Sequence, residues 1–230
     1  MKLSLTDSAE QLQCITTIAF CPVCIPDSQI RLIMDHPLIC HIIKNVTLSV
    51  EESEKILNYF NYHEYNKKEH LVREGQPCEQ LYFVVQGSLR MYFIDEKGME
   101  QTIQFAIENW WMTDLMAFQR GGLSEFSIQT IEKTQIMQIQ QEKLEKLLVE
   151  VPQLERYFKN IHQRAYAASL LRVKYLFTMS KETFYDYFSG KYPEFIQRIP
   201  QKILASFLGF TPEYLSELRR KKHKERVKTI

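Results

Sequence analysis

Four side chains near the C-terminus have the types and spacing to read DNA base edges. Glu213, Ser216, Glu217 and Arg220 share one face at about 100° per residue of helix. A carboxylate can accept from cytosine N4, and a guanidinium can donate to guanine O6 and N7. Thr211-Pro212-Glu213 opens this helix with a hydroxyl cap, a proline at the first helical position and an acid in the first turn. The partial positive charge of such an N-terminus suits phosphate, so Thr211 is expected to contact the backbone. Tyr214 is placed to add a phosphate contact from the flank. Arg219, Lys221 and Lys222 are expected to add mostly sequence-independent attraction. Those nine residues are the candidate DNA contacts.

The element before them must hold that helix. Ile203, Leu204, Phe207 and Leu208 repeat at three and four residues, the apolar stripe of a first helix behind Pro200. Gly209 follows where a left-handed backbone costs glycine little. Leu215 and Leu218 point back at that stripe. Two short helices joined by a glycine turn make a helix-turn-helix, whose second helix enters the major groove. The plainer reading, an ordinary helical hairpin, lacks a role for the basic run 219–222.

Net charge over 230 residues is +1, but it is unevenly spread. Residues 191–230 carry ten Lys/Arg against four Glu, which leaves the remainder acidic. A basic end on an acidic body suits a phosphate-binding module joined to something else. Apolar content of 45% with 25% charged residues describes a soluble globular chain, expected in the cytoplasm. No run reaches the roughly 18 apolar residues that span a bilayer, so no membrane partner is expected. The five cysteines, at 14, 21, 24, 40 and 78, read as free thiols. Cys21 and Cys24 are half a metal site that Cys14 and Cys40 could complete; the expectation is no metal.

Residues 1–33 show poor periodicity and are set aside as an N-terminal extension of unassigned role. Residues 38–60 are helical in pattern, with a capping signal at Ser49 and Glu52. From residue 65 to 139 the period changes to two. Short strands are expected at 70–73, 81–85, 89–94 and 101–107, with more at 127–139. Glycines at 75, 87 and 98 punctuate them regularly, as in an antiparallel barrel or jelly roll. Between the strands, residues 109–124 carry Trp110-Trp111 and Thr113-Asp114-Leu115. They could line a ligand pocket or, for the tryptophans, simply fill core. Residues 141–179 form a long helical stretch dented at Pro152. Leu154, Phe158, Ile161, Ala165 and Ala168 then repeat at coiled-coil-like spacing, an expected homodimer seam.

This order resembles the CRP/FNR family of bacterial transcription regulators. The resemblance rests on REGQPCEQLYFVVQGSLRMYFIDEKG, then a long helix, then IPQKILASFLGFTPEYLSELRRKK, and covers about residues 35–222. It implies an α+β chain: a cyclic-nucleotide-binding-like antiparallel β jelly roll as sensor (34–151), a dimerisation helix (152–179) and a C-terminal winged-helix-like helix-turn-helix domain (180–230). It also implies a homodimer on double-stranded DNA with an inverted repeat, and contact with RNA polymerase.

Two departures matter. Family members that bind cyclic AMP carry Gly-Glu-Leu and then Arg-Ser/Thr-Ala. This chain has Thr113-Asp114-Leu115, and Ser124-Glu125 at the second motif. A cyclic phosphate needs a cation and N–H donors, and Glu125 brings the opposite charge. The candidate effector pocket is therefore Trp111, Thr113, Asp114, Leu115, Ser124 and Glu125, with cyclic AMP not expected and no other cofactor assigned. In the recognition helix, Glu213 matches the family glutamate, but Glu217 stands where arginine is frequent, so the operator should differ. Two other classes compete. A small-ligand binding protein without DNA recognition would leave the helix-turn-helix unused. A cupin-type enzyme needs close-set histidines, whereas those here are at 36, 41, 63, 70, 162 and 223. No catalytic residue is assigned and no enzyme is expected.

Overall fold

The computed structural model describes residues 27–228. Cys14, Cys21 and Cys24, and the half metal site drawn from them, lie outside the described residues. Helices α1 (Asp27–Met34), α2 (Pro37–Ile43) and α3 (Val50–Tyr59) lead into the strands. These are β1 (Asn61–Tyr65), β2 (His70–Val72), β3 (Gln80–Gln86), β4 (Leu89–Ile94), β5 (Glu100–Ala106) and β6 (Trp111–Met112). Helix α4 (Leu115–Arg120) precedes β7 (Ser127–Thr130) and β8 (Thr134–Gln140). Helices α5 (Gln141–Glu150), α6 (Gln153–Thr178), α7 (Lys181–Lys191), α8 (Pro193–Arg198), α9 (Gln201–Leu208) and α10 (Pro212–Lys228) follow.

Two four-stranded antiparallel sheets, ordered β1-β8-β3-β6 and β2-β7-β4-β5, face each other as the jelly roll. Strand β3 explains the unbroken apolar run at 81–85. Tyr82 and Val84 point into the barrel with Val72, Leu89, Met91, Met112, Ile128 and Ile136. Leu81 and Phe83 point the other way, into a second core with α2, α3, α5 and the start of α6. A strand buried on both faces has no polar side to alternate with. Tyr157 of α6 is fully buried in that second core. Its hydroxyl accepts from Trp111 Nε1 at 2.7 Å and lies 2.6 Å from His41 Nδ1.

Several expectations shift. Residues 38–60 are two helices, because Ser49 and Glu52 cap each other's backbone N–H at 3.1 and 2.7 Å and restart the chain. Strand β1 lacks apolar alternation, since four of its five residues are exposed. Residues 27–33, set outside the fold by their sequence, form most of α1, and Ile33 is buried. Pro152 separates α5 from α6 rather than denting one helix.

Arg198 of α8 holds the tight turn between β3 and β4. Gly87 there has φ +98° and sits against β8. A Cβ at Gly87 would lie 2.6 Å from the Lys133 carbonyl oxygen and 2.8 Å from Thr134 Cα, both backbone atoms. Gly87→Ala thus adds backbone strain to a steric clash, each costing about 1–3 kcal/mol. The thermal midpoint of the full chain is expected to fall by several degrees, with Gly98→Ala, where nothing approaches within 4 Å, as the milder control.

Candidate nucleic-acid interface

Helices α9 and α10 form the two arms of the helix-turn-helix. Gly209 takes the left-handed conformation at φ +73°, and Phe210 N–H donates back to Ala205 O at 2.8 Å. Thr211 caps α10 by accepting from Tyr214 N–H at 3.2 Å. Gln201 Nε2 donates to Pro212 O at 3.2 Å and ties the start of one helix to the start of the other. Leu204, Ala205, Leu208, Leu215 and Leu218 are buried between the arms, together with Phe184, Phe188 and Phe195 of α7 and α8.

The candidate contacts divide into two groups. Glu213, Ser216, Glu217 and Arg220 are all exposed on one face of α10, where Arg220 lies 3.6 Å from Glu217. Thr211 is exposed beside them, and Tyr214 is half-buried with its ring edge-on to Phe210 and Lys181 above it. The basic run behaves differently. Arg219 Nη2 donates to Ile196 O at 3.0 Å, within the chain's own core region. Lys222 pairs with Asp186 at 2.6 Å and Lys221 with Glu182 at 3.3 Å, both carboxylates of α7. At about 100° per residue, Arg219 and Lys222 fall on the leucine side of α10, which is why they meet the rest of the unit.

The cassette between β6 and β7 brings Thr113, Asp114, Leu115, Ser124 and Glu125 together. Asp114 is buried at the N-terminus of α4. Its carboxylate accepts from Ala117 N–H at 3.3 Å, Glu125 N–H at 3.0 Å and the Ser124 hydroxyl at 3.2 Å. Thr113 donates to Gln80 O at 2.8 Å and lies 3.3 Å from the buried Cys78 thiol. Burial pushes that thiol up from its ordinary value. Leu115 opens α4, and the Glu125 side chain is exposed. Trp111 does not join them; its ring is tilted against Phe83 and edge-on to Phe158, and its N–H is spent on Tyr157. The Ala117 and Glu125 N–H groups are thus already bound to Asp114.

The expected dimer seam also divides. Leu154 and Phe158 are buried in this chain's own core, and Ile161 packs partly against it. They sit where α6 leaves the barrel, so the barrel covers them. Ala165 and Ala168 are exposed, as is every residue from 163 to 171.

A family model for the cyclic nucleotide-binding domain matches residues 62–150. Over that span the barrel is similar to a cyclic nucleotide-binding domain. Relatives include the cAMP-activated global transcriptional regulator CRP of Salmonella typhimurium, 24% identical over 95 residues. That match covers 41% of this chain and 45% of the relative, so less than half of the relative's length is spanned. FixK2 from Bradyrhizobium japonicum is 18% identical with a TM-score of 0.61, over 72% of this chain and 85% of that one. A CRP/FNR-family transcriptional regulator structure from Eubacterium rectale is 16% identical with a TM-score of 0.60, over 77% and 85%. The domain and the helices after it share the CRP/FNR fold. No helix among the described residues is long and apolar enough to cross a membrane.

Sequence reasoning missed one cluster beside the barrel. Arg198 forks onto Glu108 with two bonds of 2.8 Å, reaches Glu132 at 2.7 Å and donates to Gly87 O at 3.1 Å. Burial pushes the Glu108 carboxyl up, but the Arg198 guanidinium and the Gly87 N–H more than offset it, leaving it below its ordinary value. The partners lie 66 to 111 residues from Arg198 in sequence, so no local pattern marks them. For the cassette, Asp114→Ala removes the α4 cap and leaves the Glu125 N–H without its acceptor. A loss of about 1–3 kcal/mol is expected in denaturant unfolding, against less than half of that for Glu125→Ala, whose side chain is exposed.

Proposed function

We propose that this chain is a non-enzymatic, DNA-binding transcription regulator that acts as a homodimer on an inverted repeat, without control by cyclic AMP. The observation that carries the reading is the recognition face of α10. Glu213, Ser216, Glu217 and Arg220 stand exposed on a capped helix held by a glycine turn, the geometry that reads base edges in the major groove.

The dimer is supported by α6. Tyr166, Leu170, Val173 and Phe177 are exposed and spaced by four, three and four residues. Phe177 is 86% exposed. An apolar stripe on a helix standing clear at 163–171 fits a second copy of the same stripe, and Ala165 and Ala168 beside it permit close approach. Two-fold symmetry then asks for half-sites roughly 10 base pairs apart.

Cyclic AMP does not suit the residues present. A cyclic phosphate needs a cation and unspent N–H donors. Ser124 offers no cation, and its one hydroxyl proton is shared between Asp114 and Phe126 O. The Asp114 carboxylate already takes the Ala117 and Glu125 N–H groups and would itself repel the phosphate.

Selection from a random DNA pool at near-physiological salt tests the central claim. An inverted repeat is expected, and a pool with none would remove sequence-specific recognition. Glu213→Ala is then expected to relax one base pair per half-site by about 1–3 kcal/mol in competition binding. Calorimetric titration of the full chain with cyclic AMP is expected to give no site tighter than about millimolar, against the roughly −8 kcal/mol of a micromolar site.

A further inference from the structure

Chain connectivity alone does not hold the helix-turn-helix in place. Only Met179 and Ser180 join α6 to α7. A single two-residue connection would let the unit swing. Three separate polar contacts close across it, with one aromatic cluster between them.

The first is the Arg198 fork onto Glu108, Glu132 and the Gly87 carbonyl. The turn that presents these groups is braced on its own account. Gly87 N–H donates to Glu108 at 2.8 Å, and the Ser88 hydroxyl donates to Glu132 at 2.7 Å. The second is Ser206 of α9. Strand β5 is the edge of its sheet, and its outward groups need partners. Thr102 N–H donates to the Ser206 hydroxyl at 2.7 Å, and that hydroxyl donates to Glu100 O at 2.8 Å. One serine thus does the work of a neighbouring strand residue. Between these contacts, Phe105 of β5 packs its ring on Phe207 at 4.8 Å and Phe195 at 5.6 Å. The third comes from α6. Arg172 donates to Phe207 O at 2.7 Å and lies over the Phe207 ring at 4.4 Å.

We propose that this dock fixes the helix-turn-helix against the barrel and α6, and so sets the half-site spacing that the dimer accepts. Arg198 and Ser206 are the positioning residues. The inference rests on the DNA-binding reading above. Its logic is rigid-body geometry. Each base pair added between half-sites moves one half-site by about 3.4 Å and turns it by about 35°. A swinging unit can follow that change. A unit held from the barrel and from α6 cannot. Docking leaves the recognition face of α10 exposed, so the docked arrangement is compatible with reading DNA.

The test uses the full chain and the repeat that wild type selects. Affinity is measured for that repeat, for versions with one base pair removed or with one or two added between half-sites, and for a single half-site. Wild type is expected to prefer one spacing by at least about tenfold. The double variant Arg198→Gln with Ser206→Ala is expected to reduce that preference to less than about threefold while keeping the base preference within a half-site. Ser206→Ala alone, which removes two hydrogen bonds and leaves the Arg198 fork, is expected to lie between and guards against misfolding of the double variant. Arg198→Lys, which cannot fork, should restore part of the preference. Variants that keep the wild-type spacing preference would overturn the dock as its source, as would a wild type indifferent to spacing. A wild type that selects no repeat at all would instead remove the DNA-binding reading, so the two failures are distinguishable.

Discussion

A four-stranded sheet leaves an edge and an outer face to be satisfied, and in this chain both needs meet at β5. Backbone N–H and C=O groups at a sheet edge are strong donors and acceptors, and leaving them buried without partners costs more than most packing contacts return. Ser206 supplies a donor and an acceptor to that edge from a helix. The outer face of β5 presents Phe105, and Ile107 and Ile131 lie beside it. These three are buried in one core with Leu204, Leu208, Leu215 and Leu218 of the helix-turn-helix. The helical unit thus completes the barrel, and the barrel completes the helical unit. A division into a barrel and a helical domain describes the order of the chain better than it describes the packing.

That mutual completion explains what could be seen in the sequence. The helix-turn-helix was legible because its signals are local: a glycine at the left-handed cap, Thr211-Pro212-Glu213 at the restart, leucines on one side. The jelly roll was legible from period two and regular glycines. Strand β1 was not, since an exposed edge strand such as NYHEY shows no apolar alternation. Leu154 and Phe158 carried a seam pattern, but a heptad-like pattern does not say whether a barrel or a second helix fills the facing holes. The first turns of α6 face the barrel and the later ones stand clear, so one periodicity serves two surfaces. The Arg198 cluster had no signal, because its geometry exists only after three distant turns meet.

The cassette shows the same contrast between residue type and residue use. Asp114 stands at the position of an acidic motif that, in a nucleotide site, would sit beside bound ligand. Here it accepts three hydrogen bonds from its own loop. A buried carboxylate with three donors is a stable arrangement, since each donor is charge-assisted. The same donors cannot serve a phosphate without releasing Asp114, which would then be a buried, uncompensated charge. In this loop the donors hold the loop itself.

Charge in the basic run argues in the same direction for DNA. Counting Arg219, Arg220, Lys221 and Lys222 as four phosphate contacts overstates the non-specific attraction. Arg219 is turned inward onto Ile196 O, and Lys221 and Lys222 are paired with Glu182 and Asp186. On the proposed reading, phosphate must compete with those carboxylates for the two lysines. Counterion release scales with the charges actually neutralised, so paired lysines contribute less than their number. With Glu213 and Glu217 on the recognition face as well, the electrostatic share of binding shrinks further. On the proposed reading, affinity comes from base contacts and from two recognition helices arriving in register, which is where a rigid seat for α9 and α10 matters most.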